Sequence, residues 1–280
     1  VMKTYLPSLS EQDAFARQIA EQITNGEGGA IIESLKGGLI VSCQTEPKDC
    51  IHEDGRTVVT MAKAAKWGGA VAIRSNSPEQ VKAIHEAVDL PIIGLDKIYY
   101  DTMDRVIMTP TIEHAKALWE AGARIIALEA TDQLNHLGVP TRNLIPEIKK
   151  ELPEAIIFAD VDTVENAIEA AKLGADFVAP TLAGYTKATA YITEPPAYRE
   201  VAEMCRAVDV PVIMEGHVYD PESAMKSLYL GCYAVVVGSA ITRPHFIVKR
   251  FTDLLNKFPK DSNWRDDERA WQGPITKLEK

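Results

Sequence analysis

The feature that most constrains this chain is a repeated alternation of short, continuous apolar runs with longer amphipathic segments. The runs are Leu39–Cys43, Ala70–Ile73, Pro91–Leu95, Ile125–Leu128, Ile156–Ala159, Phe177–Ala179, Val212–Met214 and Ala234–Val237. Runs without polar alternation indicate strands buried on both faces, as in a parallel sheet, and parallel neighbours need a long crossover, usually a helix. Such segments lie between them at Ser77–Ala87, Thr111–Ala121, Thr163–Leu173, Pro221–Leu230 and Ile241–Leu255. Ser77, Thr163 and Asp220 stand where helix N-caps belong, and Gly174 and Gly231 stand where helices end. The phrases Ala121-Gly122-Ala123, Leu173-Gly174-Ala175 and Leu230-Gly231-Cys232 repeat one helix-to-strand turn.

Eight such units in roughly 220 residues predict a single (β/α)8 TIM barrel. An open doubly wound sheet would show a GxGxxG turn after its first strand, and none is present. A ninth short run, Val106–Met108, is read as a pre-helix segment in the third βα loop, since a ninth barrel strand would break closure. Residues 1–28 form an N-terminal extension with a helix expected over about Gln12–Ile23, and residues 29–258 form the barrel. A short helix over about Ala30–Lys36 is placed to plug the barrel's amino-terminal end. Residues 259–280 are a polar C-terminal tail.

A formal net charge of −10 argues against nucleic acid or an anionic membrane surface as the main partner. It leaves room for a small anion in a local basic pocket. No apolar run approaches the ~18–20 residues of a membrane span, and the start has no signal-peptide core. Cys43, Cys50, Cys205 and Cys232 follow no metal or CxxC spacing, so reduced thiols in a cytoplasmic protein are expected.

Barrel active sites are assembled at the carboxyl ends of the strands. There the chain places Gln44, Arg74, Lys97, Glu129, Asp160, Thr181, Glu215 and Gly238-Ser239, polar where the strands are apolar. A lysine desolvated beside an arginine is a usable base near neutrality, or alternatively a Schiff-base nucleophile. Glu215, across the mouth, supplies a second proton-handling group. The Arg74 and Asp160 pair has a structural reading too, as a salt bridge holding the rim. Gly216 after the seventh strand and Gly238-Ser239 after the eighth match the barrel phosphate site, with Arg243 in the following helix adding a charge-assisted contact. The six histidines are scattered and form no metal site.

Several phrases fall in order over about Leu35–Phe251: LKGGLIVSCQ (Leu35–Gln44), GAVAIRSN (Gly69–Asn76), PIIGLDK (Pro91–Lys97), ADVDT (Ala159–Thr163), TLAGYT (Thr181–Thr186), Glu215-Gly216 and VVVGSAITRP (Val235–Pro244). On these the chain resembles the N-acetylmannosamine-6-phosphate 2-epimerase family of sialic acid catabolism. The resemblance implies cofactor-independent inversion at C2, interconverting N-acetylmannosamine 6-phosphate and N-acetylglucosamine 6-phosphate. It implies Lys97 and Glu215 as catalytic residues, with Gln44, Arg74, Asp160 and Thr181 holding the sugar. Gly216, Gly238, Ser239 and Arg243 would hold the phosphate.

The pattern departs from the family at Ile98, at Glu129 and over Asp132–Asn135. Two other readings of the same residues are a Schiff-base aldolase or lyase on Lys97 and a barrel that binds amino-sugar phosphates without turnover. The partner expected is a small phosphorylated N-acyl amino sugar, and a homo-oligomer, a dimer, is expected through the Ile241–Leu255 segment.

Overall fold

A computed structural model describes residues 27–46, 49–52, 55–101, 105–192 and 197–258. The expected helix over residues 12–23 and the tail 259–280 lie outside the described residues. The described residues fall into two compact units, divided between Thr242 and Arg243.

The first unit is the barrel. Its strands are β1 (Leu39–Ser42), β2 (Ala72–Asn76), β3 (Ile92–Leu95), β6 (Ile125–Glu129), β7 (Ile156–Asp160), β8 (Phe177–Ala179), β9 (Ile213–Met214) and β10 (Ala234–Val237), with β4 (Lys97–Tyr99) and β5 (Val106–Met108) outside the sheet. Its helices are α1 (Glu27–Ser34), α2 (Arg56–Trp67), α3 (Pro78–His85), α4 (Ile112–Glu120), α5 (Ile145–Glu151), α6 (Val164–Lys172), α7 (Tyr198–Ala207), α8 (Pro221–Tyr229) and α9 (Ser239–Thr242).

Eight strands pair in parallel in the order β8-β7-β6-β3-β2-β1-β10-β9. A parallel bridge from Val178 to Val212 joins the two ends and closes the ring. Alternate residues then point inward or outward. Ile40, Ala72, Ile93, Ile125, Phe158, Phe177 and Val236 fill the interior, while Val41, Ile73, Ile126, Ile157 and Val235 meet the helices. Ile32 and Leu35, from α1 and the turn after it, join the interior cluster and plug one end as expected. The anticipated caps form: the side chains of Ser77, Thr163 and Asp220 accept from the backbone N–H of Gln80, Asn166 and Ser223. The repeated turns use one device, with Gly122, Gly174 and Gly231 at φ 105–107°, a conformation costly for any side chain.

Two expectations need correction and one is extended. Val106–Met108 precedes α4 in the third βα loop, outside the barrel sheet, as expected, and is itself a strand. It pairs antiparallel with Lys97–Tyr99 in a small hairpin in the third βα loop, satisfying its backbone outside the barrel. The second strand starts and ends later than its apolar run, because Arg74, Ser75 and Asn76 stay buried and paired in the sheet. The Ile241–Leu255 segment is not one helix. Thr242 ends α9, Arg243 takes φ −121° and ψ 78°, and Pro244 opens a new helix. A residue before proline is pushed out of helical geometry. The second unit therefore begins with Arg243 as the N-cap residue of α10 (Pro244–Leu255).

Candidate active site

The last residues of β2, β6 and β7 are polar yet buried in the sheet, so they line the carboxyl-terminal mouth rather than a surface rim. Register sets Ser42 beside Arg74, and Glu129 beside Asp160. Arg74 is only 3% exposed and links three strands. One guanidinium nitrogen donates to Asp160 Oδ2 at 2.6 Å and another to Glu215 Oε1. Its charge also lies 5.5 Å from the centre of the Phe158 ring. The Thr181 hydroxyl donates to the other oxygen of Asp160. Arg74, Asp160, Thr181 and Glu215, proposed separately from the sequence, thus form one connected group. The rim salt bridge is real, but it is fully buried and shared with a second carboxylate.

One guanidinium faces two carboxylates here, and burial disfavours charge on both. The Glu215 carboxyl is pushed up from 4.5 to about 7, first by desolvation and further by Asp160, against the opposing pull of Arg74. Asp160 is also raised, chiefly by burial and again against Arg74. The pair therefore holds a proton near neutrality as a coupled unit. Three buried atoms at the mouth have no hydrogen-bond partner among the described residues: Gln44 Oε1, Arg74 Nε and Glu215 Oε2. The Gln44 amide nitrogen donates to Ser42 Oγ at 2.7 Å, which fixes the side chain and leaves its carbonyl open. A carbonyl acceptor, a guanidinium N–H donor and a proton-bearing carboxyl are the groups that bind a polyhydroxylated ligand.

Lys97 opens the β4–β5 hairpin. Its backbone N–H is held by Asn76 Oδ1 at 2.9 Å, and its Nζ donates to Glu46 Oε1 at 2.7 Å. Its positive charge acts on both Asp160 and Glu215, so the lysine belongs to the same electrostatic cluster. The sequence reading missed two charged residues. Glu46 lies two residues past Gln44, in the loop after β1. Arg105, before β5, grips Glu129 with one nitrogen at 2.9 and 2.8 Å and reaches Leu134 O with another at 2.9 Å. Glu129 is thus occupied in anchoring the hairpin to β6.

Gly216, at φ 107°, follows β9, and Gly238-Ser239 follows β10, the seventh and eighth strands of the barrel in chain order. A side chain at Gly238 would press on Ser42 Cβ at 3.3 Å. Thr242 ties this turn to β1 by donating to Ser42 O at 2.8 Å. His217, at φ 57°, stacks on Tyr185 with ring centres 5.1 Å apart. Arg243 is not in the first turn of the helix after β10. It precedes α10 in the second unit, with its guanidinium 5.9 Å from the Phe246 ring centre.

A family model described as "Putative N-acetylmannosamine-6-phosphate epimerase" matches residues 58–257. The chain belongs to this family. A curated epimerase relative of the same description from Caldanaerobacter subterraneus subsp. tengcongensis is 44% identical over 227 residues, spanning 81% of this chain and 94% of that protein. One from Listeria welshimeri is 40% identical over 230 residues, spanning 81% and 96%. Among solved structures, the N-acetylmannosamine-6-phosphate 2-epimerase from Clostridium perfringens superposes with a TM-score of 0.75 at 38% identity, covering 80% of this chain and 95% of that one. A thiamine phosphate pyrophosphorylase from Pyrococcus furiosus, at 19% identity and a TM-score of 0.51, shares the fold alone. The family match over residues 58–257 takes in β2 to β10, so family and geometry concern the same barrel.

Proposed function

We propose that the chain interconverts N-acetylmannosamine 6-phosphate and N-acetylglucosamine 6-phosphate, in the breakdown of sialic acid and related amino sugars. The observation that carries this reading is the buried Arg74 holding Asp160 and Glu215 together within the field of Lys97. The C2 proton of a pyranose is not acidic, but in the open aldehyde its removal gives an enolate stabilised through O1. Two proton-transfer functions are therefore needed. Glu215, which holds a proton near neutrality, handles the hydroxyl proton during ring opening, and Lys97 removes the proton at C2. Gln44, Arg74, Asp160 and Thr181 hold the sugar hydroxyls. The phosphate is assigned to Gly216, Gly238 and Ser239, the loops that bind phosphate in many barrels, and Arg243 joins them on the sequence pattern alone.

The exposed face of α10 supports self-association as a dimer. Phe246, Val248, Phe251, Leu254 and Leu255 are all between 46% and 69% exposed, more apolar surface than a monomer usually displays on one helix. The barrel unit separately carries an apolar groove of about 370 Å³ lined by Leu39, Met225, Leu228, Val235 and Ile241. Unbridged cysteines at 43, 50, 205 and 232 fit a reducing, cytoplasmic setting.

The test of the function is Lys97→Ala, assayed by deuterium incorporation at C2 from heavy water with either sugar phosphate. The variant is expected to bind substrate and to lose exchange. Exchange at the wild-type rate in this variant would remove Lys97 from the role.

A further inference from the structure

We infer that Glu46 is a positioning residue for the C2 proton transfer, holding the Lys97 amine in place and supplying the negative charge beside it. The inference rests on the reading of Lys97 as the base.

Both oxygens of Glu46 are engaged by β4. Oε1 accepts from Lys97 Nζ at 2.7 Å and Oε2 from the Tyr99 hydroxyl at 3.2 Å. Lys97 and Tyr99 are two residues apart on a strand and so share a face. The backbones on both sides of the contact are fixed from behind. The buried Gln80 amide clamps Thr45 at two points, donating to its carbonyl at 2.7 Å and accepting from its N–H at 3.2 Å. The Glu46 N–H is held by Asp49 Oδ2 at 2.8 Å, and the Lys97 N–H by the buried Asn76.

An ion pair on open surface contributes little, because two long side chains must be ordered in water to form it. Here both side chains are only about a quarter exposed, at 22% and 27%, and the main chain has already been ordered by Gln80, Asp49 and Asn76. The remaining freedom is small, so Glu46 sets where Nζ points.

The geometry also matches the direction in which charge moves. In the proton transfer the C2–H bond breaks, its electron pair forms the C1–C2 double bond and charge passes to O1. The proton goes to Nζ, which becomes an ammonium. That positive charge grows 2.7 Å from Glu46 Oε1. For a Lys97 that enters the step as the neutral amine, a fixed carboxylate there stabilises the charge that develops on Nζ in the transition state, and such differential interactions raise kcat rather than tighten substrate binding. Return of a proton from Nζ to the opposite face of C2, after the enolate has turned, gives the inverted sugar and restores the Lys97 amine.

The experiment uses the full chain and its Glu46→Gln, Glu46→Asp, Tyr99→Phe and Lys97→Ala variants. It reads kcat, KM, C2 deuterium exchange and the melting temperature. Glu46→Gln is expected to lower kcat and exchange together by roughly 10- to 100-fold, with KM within about twofold and an unchanged melting temperature. Glu46→Asp recovers part of the loss, and Tyr99→Phe loses less than Glu46→Gln. A wild-type kcat in Glu46→Gln, or a loss appearing in KM alone, overturns the inference. If Glu46→Gln also melts early, Tyr99→Phe decides: lowered kcat at wild-type stability supports positioning, and wild-type kcat refutes it. If Lys97→Ala still exchanges at C2, the assignment of the base has failed. If it does not exchange and Glu46→Gln turns over normally, only the role of Glu46 has failed.

Discussion

Glu215→Gln separates the proton held at the mouth from the rest of the barrel's charge. In the folded chain the Glu215 carboxyl ionises at about 7 instead of 4.5. The groups acting on it come from four parts of the fold: Arg74 on β2, Lys97 on β4 and Thr181 after β8 favour its ionised form, and Asp160 on β7 disfavours it. Between pH 4.5 and 7 the folded chain holds a proton that the unfolded chain has released. Stability therefore falls as pH rises through that window and levels off above it. At about 1.4 kcal/mol per pH unit, a rise from 4.5 to about 7 corresponds to about 3 kcal/mol lost by alkaline pH. Glutamine keeps the size and an acceptor for Arg74 but cannot ionise, so this loss disappears.

The assay is urea unfolding of both proteins at intervals between about pH 5 and pH 8, with stability extrapolated to water. Near pH 5 the two stabilities are expected to lie close together or to favour the wild type. By pH 8 the variant gains about 3 kcal/mol relative to the wild type, while turnover is lost because the proton donor for ring opening is gone. Acidic groups elsewhere, such as Glu113 and Glu169, are held below their ordinary values by exposed partners and act at lower pH. They cancel in the difference. Parallel stability curves across the whole window would refute the claim that Glu215 carries a raised ionisation in the folded state.

Two further outcomes test the packing and the surface. A methyl group at Gly94 on β3 would lie 2.8 Å from Ala123 Cβ and 3.2 Å from Leu118 Cδ2. Gly94→Ala is expected to destabilise by about 1–3 kcal/mol, and an unchanged melting temperature would show that β3 and α4 can move apart freely. Phe251→Asp together with Leu254→Asp should convert a sedimenting dimer to a monomer. A wild-type chain that already sediments as a monomer at micromolar concentration removes α10 as an association surface.

The barrel was legible because its strands are apolar throughout, so each run announced a strand and each capped segment a helix. The reading faltered where function interrupts that rule. Arg74, Ser75, Asn76, Glu129 and Asp160 are strand residues that the apolar runs excluded, since their burial depends on partners far away in sequence. Arg74 meets Asp160 across 86 residues and Glu215 across 141, separations at which no local pattern reports a contact. Strand ends still named all three, because barrel topology brings those ends together. Glu46 and Arg105 were missed for the opposite reason. Each looks like an ordinary loop charge until the hairpin of β4 and β5 is seen to need anchors on both sides, and the pairing of Val106–Met108 is what creates that need.

The two ion-pair systems at the mouth differ in the property that suits each to its task. Around Arg74 the charges are almost wholly buried, with two acids against one base, so the surplus is relieved by keeping a proton. That is a store from which a hydroxyl can be served. Around Lys97 the ion pair with Glu46 is only part-buried, and both side chains keep contact with solvent. Such a pair can exchange a proton without leaving an unpaired charge in a dry interior. Moving Lys97 into the buried set, or removing Asp160 from it, would upset this arrangement. The division of labour proposed for Glu215 and Lys97 rests on how deeply each is buried and how much water reaches it.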